Sequence, residues 1–271
     1  MDFASLVIRE GDRVTASGRL VRSETGDWFE PPVPVTANFS LVRSVRPAWA
    51  GSVRIVGADF GAELTGRFER DGAVEGSAAL TGTWAADRLQ VEHQDLHAPR
   101  HREIPNWTVP PCPPPEGGWP HETRVCGIED VQTGERPAAQ YAGLDYHLGD
   151  LRETGAAVVT TTFRPGEDQA VLVVAAADPE AVEAHLRPQL GRLLCVIPSK
   201  WTRAELDAVG AHLHAHHDDW NLWAWGETST EDGQALITAR LTRIRPEIAT
   251  WAASLPAGIL GLEPWLTHAQ P

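Results

Sequence analysis

His212 and His216 lie four residues apart in a stretch where Leu206, Val209 and Leu213 keep helical spacing. Two imidazoles at such positions share one helix face and can bind a single metal ion. With about 100° of rotation per residue, Glu205 and Asp219 fall on the same flank, so Asp219 could add a carboxylate. Zinc is the cofactor such a set would take, and metal-assisted catalysis the activity it would serve. The residue after His212 is Leu213 rather than Glu, so the zinc-protease pattern H-E-x-x-H is missing. A solvated polar flank accounts for the same residues, and the main expectation is therefore no cofactor.

The second candidate is a pair of indoles. Trp220 to Gly226 reads as a strand with Trp223 and Trp225 on one face and Leu222 and Ala224 on the other. Exposed, Trp223 and Trp225 would anchor a partner. The reading favours cover for both, with Leu222 and Ala224 facing the core. His93, His97 and His101 recur every four residues, but Pro99 interrupts any helix through them. Cys112, Cys126 and Cys195 match no zinc spacing, and an odd, sparse count does not frame disulfides. Cys195 therefore reads as a small core residue, and Cys112 and Cys126 as linker residues. G-x-G-x-x-G, G-x-x-x-x-G-K-[ST] and G-x-S-x-G are all missing from the sequence.

These candidates sit among readable elements. Val171–Ala176 is an apolar run typical of a strand buried on both faces. Asp178-Pro179-Glu180 starts a helix carrying Val182, Leu186 and Leu190, which Pro188 should end or kink and Gly191 should cap. Leu193–Ile197 is a second buried strand. Thr202 and Glu205 form a capping box for a helix running to about His217. A turn at Asp232-Gly233 leads to a strand over Ala235–Arg243, and Pro246 opens a last helix with Ile248, Trp251 and Leu255. This is an α/β pattern with a mixed sheet.

Residues 1–98 differ. Val14, Ala16, Gly18 and Leu20 alternate with polar neighbours, Ser52–Gly57 is another strand, and Asp71-Gly72 and Ala86-Asp87 mark hairpin turns. The segment reads as a small all-β barrel or sandwich, compatible with an OB-like barrel. Eight of the 21 prolines fall in residues 99–120. That composition predicts an extended linker, with a Pro-rich ligand for an aromatic groove as the alternative. The expected organisation is α+β: an all-β domain over 1–98, a linker over 99–120 and an α/β domain over 121–271. Tyr141–Arg152 reads as a short helix or an irregular segment.

Lys200 is the only lysine, and the arginine and alanine content points to a GC-rich, bacterial genome. Net charge is −14, unevenly spread: residues 1–105 hold 12 Arg against 15 Asp and Glu, and residues 106–271 hold 11 basic against 22 acidic residues. That balance disfavours nucleic acid and favours a basic protein partner. The first residues, MDFASLVIREGD, lack a signal-peptide pattern, and no run of about 18 apolar residues predicts a membrane span. The expected location is cytoplasmic. The expected function is a non-enzymatic protein-interaction or accessory, inhibitor-type protein with an acidic C-terminal domain. The alternatives are a metal-dependent enzyme using His212 and His216, and a single-strand nucleic-acid binder. The latter needs arginines and exposed aromatics on the N-terminal β domain.

Overall fold

The computed structural model describes residues 3–32, 51–70, 72–96, 107–119, 157–166 and 169–270. Tyr141–Arg152, His97, His101 and Cys126 lie outside them. The fold is mixed α+β with strands predominating. Among the described residues no helix is long and apolar enough to cross a membrane.

The first strands are β1 (Arg13–Ser23), β2 (Gly26–Glu30), β3 (Val53–Val56), β4 (Thr65–Arg70), β5 (Ala73–Ala85) and β6 (Arg88–Asp95). Along β5 every second residue from Ala78 to Trp84 is buried, the period a strand with one covered face requires. Ala86 and Asp87 both have positive φ, 50° and 53°, as a two-residue hairpin turn demands. Strand β1 pairs antiparallel with both β2 and β5. β2 then pairs with β3, β3 runs parallel to β6, and β6 pairs with β5, so the pairings close on themselves. Val14, Leu20, Phe29, Ile55, Leu80 and Leu89 fill the interior. Gly82 lets β5 and β6 approach at a bulge, where a Cβ would run into Gln90 O.

The C-terminal residues complete that same core. After β12 (Leu260–Pro264), strand β13 (Thr267–His268) pairs with β1, and Leu266 is fully buried with the ring's apolar residues. Trp265 packs against Phe29 at 4.6 Å between ring centroids, the planes tilted by 41°, and donates its indole N–H to Ser17 O at 2.8 Å.

The middle of the chain forms β7 (Ala157–Gly166), β8 (Gln169–Ala176), helix α1 (Pro179–Leu190), β9 (Leu194–Pro198), helix α2 (Arg203–Ala215), β10 (Leu222–Ser229), β11 (Ala235–Leu241) and helix α3 (Pro246–Ser254). β8 pairs antiparallel with β7 and parallel with β9, a mixed sheet. The strands that follow do not extend it. β10, β11 and β12 make a separate three-stranded sheet, because periodicity marks a strand without naming its neighbour. Val174 and Ala176 of β8 pack with Val182, Leu186 and Leu190 of α1. On the other face a Cβ at Gly233 would lie 2.8 Å from Val173 and 3.1 Å from Ile197, so that turn covers β8 and β9.

Asp178 caps α1 by accepting from Ala181 N at 3.1 Å. Pro188 does not end α1; it sits in the last turn, where one lost N–H is tolerated. Thr202 and Glu205 exchange the two capping-box bonds, Thr202 N to Glu205 Oε2 at 2.7 Å and Glu205 N to Thr202 Oγ1 at 3.2 Å. α2 stops at Ala215, two residues short of His217.

The chain divides into two compact units. One comprises Met1–Glu103, Leu213–Trp225 and Thr238–Pro271, and the other Ile104–His212 and Gly226–Ile237.

Candidate functional site

The outward face of the strand ring carries a row of binding-type side chains. Trp28 on β2 sits beside Arg54 on β3, and Arg54 sits beside Arg88 on β6. Their chain neighbours Phe29, Val53, Ile55 and Leu89 point into the core, which turns these three outward. Arg54 and Arg88 are exposed and Trp28 is half-buried. The Arg54 guanidinium lies over the Trp28 ring, 4.5 Å from its centroid, a cation–π contact. Trp28 donates its indole N–H to Thr25 Oγ1 at 3.2 Å, which fixes the ring plane. Val56, 52% exposed, continues the face along β3. Arg22 is committed elsewhere: it makes two 2.8 Å bonds to Asp27, and these raise its pKa against partial desolvation. Sequence reasoning missed the row, because only strand register brings Trp28, Arg54 and Arg88 together. The alternation that places Arg54 outside in SVRIVG was the available signal.

The histidine flank takes a different form from the one expected. His212 is a half-buried residue of α2. The helix ends at Ala215, so His216 and Asp219 belong to the following turn and the helical flank does not reach them. His216 Nδ1 stands 3.7 Å from Asp219 Oδ2, and its ring stacks on Trp220 at 4.8 Å. Among the described residues no group of three or more His, Cys, Asp or Glu could hold a metal ion. Further ring contacts involve two histidines outside the candidate set: His214 and His217 stack at 5.7 Å, and both meet Trp225, at 5.9 and 5.8 Å.

Trp223 is half-buried, with neighbours from its own unit. Arg240 lies 5.8 Å from its ring centroid, and a Cβ at Gly51 would come within 3.2 Å of Trp223 Cδ1. Leu222 is buried at 2% exposure, as its parity predicts, whereas Ala224 is only half-buried. Trp220 precedes the strand instead of starting it, and packs in the turn against Trp251 at 5.2 Å.

The cysteine reading needs correction. Cys195 is buried at 1% exposure, yet it is not a free core thiol: it forms a disulfide with Cys112, across a Cα separation of 5.8 Å. An odd count over the chain says nothing of which two sulfurs the fold brings within bonding reach. Among the described residues three carboxylates are held below their ordinary range. Hydrogen bonds from Thr202 act on Glu205, those from Thr83 and then Arg13 on Glu92, and those from Lys200 and then Thr230 on Asp232.

No family model, curated protein or solved structure matches the chain.

Proposed function

We propose that this chain is a non-enzymatic protein-interaction protein whose strand ring is a small OB-like barrel and whose anchor is Trp28 with Arg54 and Arg88. The order β1-β2-β3-β6-β5, returning to β1 with β3 and β6 parallel, supports the barrel reading. The observation that carries the functional reading is the Arg54 guanidinium seated over the half-buried Trp28 ring. Tryptophan and arginine dominate the residues that anchor protein interfaces, because a flat indole and a planar fork bury area at small entropic cost. Arg54 and Arg88 suit a partner segment bearing carboxylates. The acidic excess of residues 106–271 separately favours a basic surface.

A second reading uses the same face for single-stranded nucleic acid, with Trp28 stacking a base and the arginines meeting phosphate. The ring connectivity favours it, and the net charge of −14 keeps it second. The test compares the tagged wild-type chain with a Trp28→Ala/Arg54→Ala variant, each recovered from source cells. In parallel, a fluorescent single-stranded oligonucleotide is titrated at low salt. A protein retained by the wild type and lost by the variant supports the first reading. Salt-sensitive oligonucleotide binding that the variant loses supports the second. A variant equal to the wild type in both assays overturns both.

A further inference from the structure

The segment Trp107–Trp119 carries Pro110, Pro111, Pro113, Pro114 and Pro115, none of which can donate a backbone hydrogen bond. It is nevertheless fastened at four places within its own unit. Trp107 O accepts from Arg164 N at 2.7 Å, Glu116 O from Arg192 Nη1 at 3.0 Å, and Trp119 O from Gln169 Nε2 at 3.1 Å. The fourth tie is covalent, Cys112 to Cys195 of β9. Cys195 is 1% exposed, on the face of β9 that also carries Ile197, and pairs in register with Val173.

We infer that the Cys112–Cys195 bond is the fastener of this proline-rich strap, and that the mature chain is the product of a thiol-oxidising step. In that step one cysteine thiolate attacks the disulfide of an oxidised dithiol carrier and forms a mixed disulfide. The second thiolate displaces the carrier, which leaves as a dithiol with the two electrons and two protons. Burial of Cys195 means that oxidation precedes closure of the strap or occurs with the strap lifted. Without the bond, the ties described for this segment, which forms no helix or strand, are the hydrogen bonds at Trp107, Glu116 and Trp119 and the packing of Pro111 beside Gly233, so reduction loosens the strap. Such a bond persists outside a reducing cytosol. The inference thus puts the working chain in an oxidising compartment, in place of the cytoplasmic expectation.

The test begins with full-length protein refolded in a glutathione redox buffer, then denatured without reductant and alkylated. One thiol of three should take the label, that of Cys126, and all three should do so after reduction. Chymotrypsin should cut after Trp107 about tenfold faster, or more, in the reduced protein, whose Tm should be about 10 °C lower. Cys112→Ser should reproduce the reduced behaviour and no longer respond to reductant, which separates loss of the tie from general unfolding. Three labelled thiols without reductant would overturn the inference. So would oxidised and reduced proteins that are cut and melt alike.

Discussion

Trp265→Ala tests whether the last residues of the chain belong to the core of the first strands. Truncating a fully buried large aromatic costs about 3–5 kcal/mol. Trp265 is half-buried, which reduces the packing loss to about 2–3 kcal/mol by proportion. Losing the indole N–H bond to Ser17 O adds about 1 kcal/mol. The sum is about 3–4 kcal/mol, which in a chain of this size lowers Tm by about 10 °C. Trp265→Phe keeps a ring against Phe29 and forfeits only the bond, so it should cost about 1 kcal/mol and a few degrees. Val109→Ala, at a side chain 71% exposed, is the control and should stay within about 0.5 kcal/mol of wild type. Thermal melts followed by far-UV circular dichroism read all three. A Trp265→Ala protein melting within about 1 °C of wild type would refute the packing of this indole on β1 and β2.

Gly233→Ala should destabilise by about 2–4 kcal/mol in urea titrations, combining left-handed strain with overpacking against Val173. The residue has φ 76°, and its new Cβ would stand 2.8 Å from Val173 Cγ1; unchanged stability would mean that the turn lies elsewhere. Glu205 has a folded pKa depressed by Thr202, so its contribution is present above the unfolded carboxyl value and is lost as pH falls through the folded one. Thr202→Ala removes the hydroxyl bond to Glu205 and keeps the backbone N–H bond, the larger cause, so the Glu205 titration, followed by NMR, should move only part of the way back; a full return to the ordinary carboxyl range would refute the backbone N–H as the main cause.

What the sequence determined by itself was local. Asp178 before Pro179, the Thr202–Glu205 box, the Ala86-Asp87 turn and the alternation in β1 each depend on residues within a few positions of one another. Local hydrogen bonds and side-chain periods suffice to specify such features. The α+β character follows from them. The tertiary structure decided which elements meet. Nothing in Thr267-His268 announces β1 as its partner, and nothing in Arg54 or Arg88 announces Trp28. Cys112 and Cys195 are separated by 83 residues and joined only because β9 and the strap converge. Closing a long loop costs little more entropy than closing a medium one, so sequence distance hardly ranks the candidate pairings. Burial of apolar faces makes the choice, and it becomes visible only when the whole ring and its C-terminal strand are assembled.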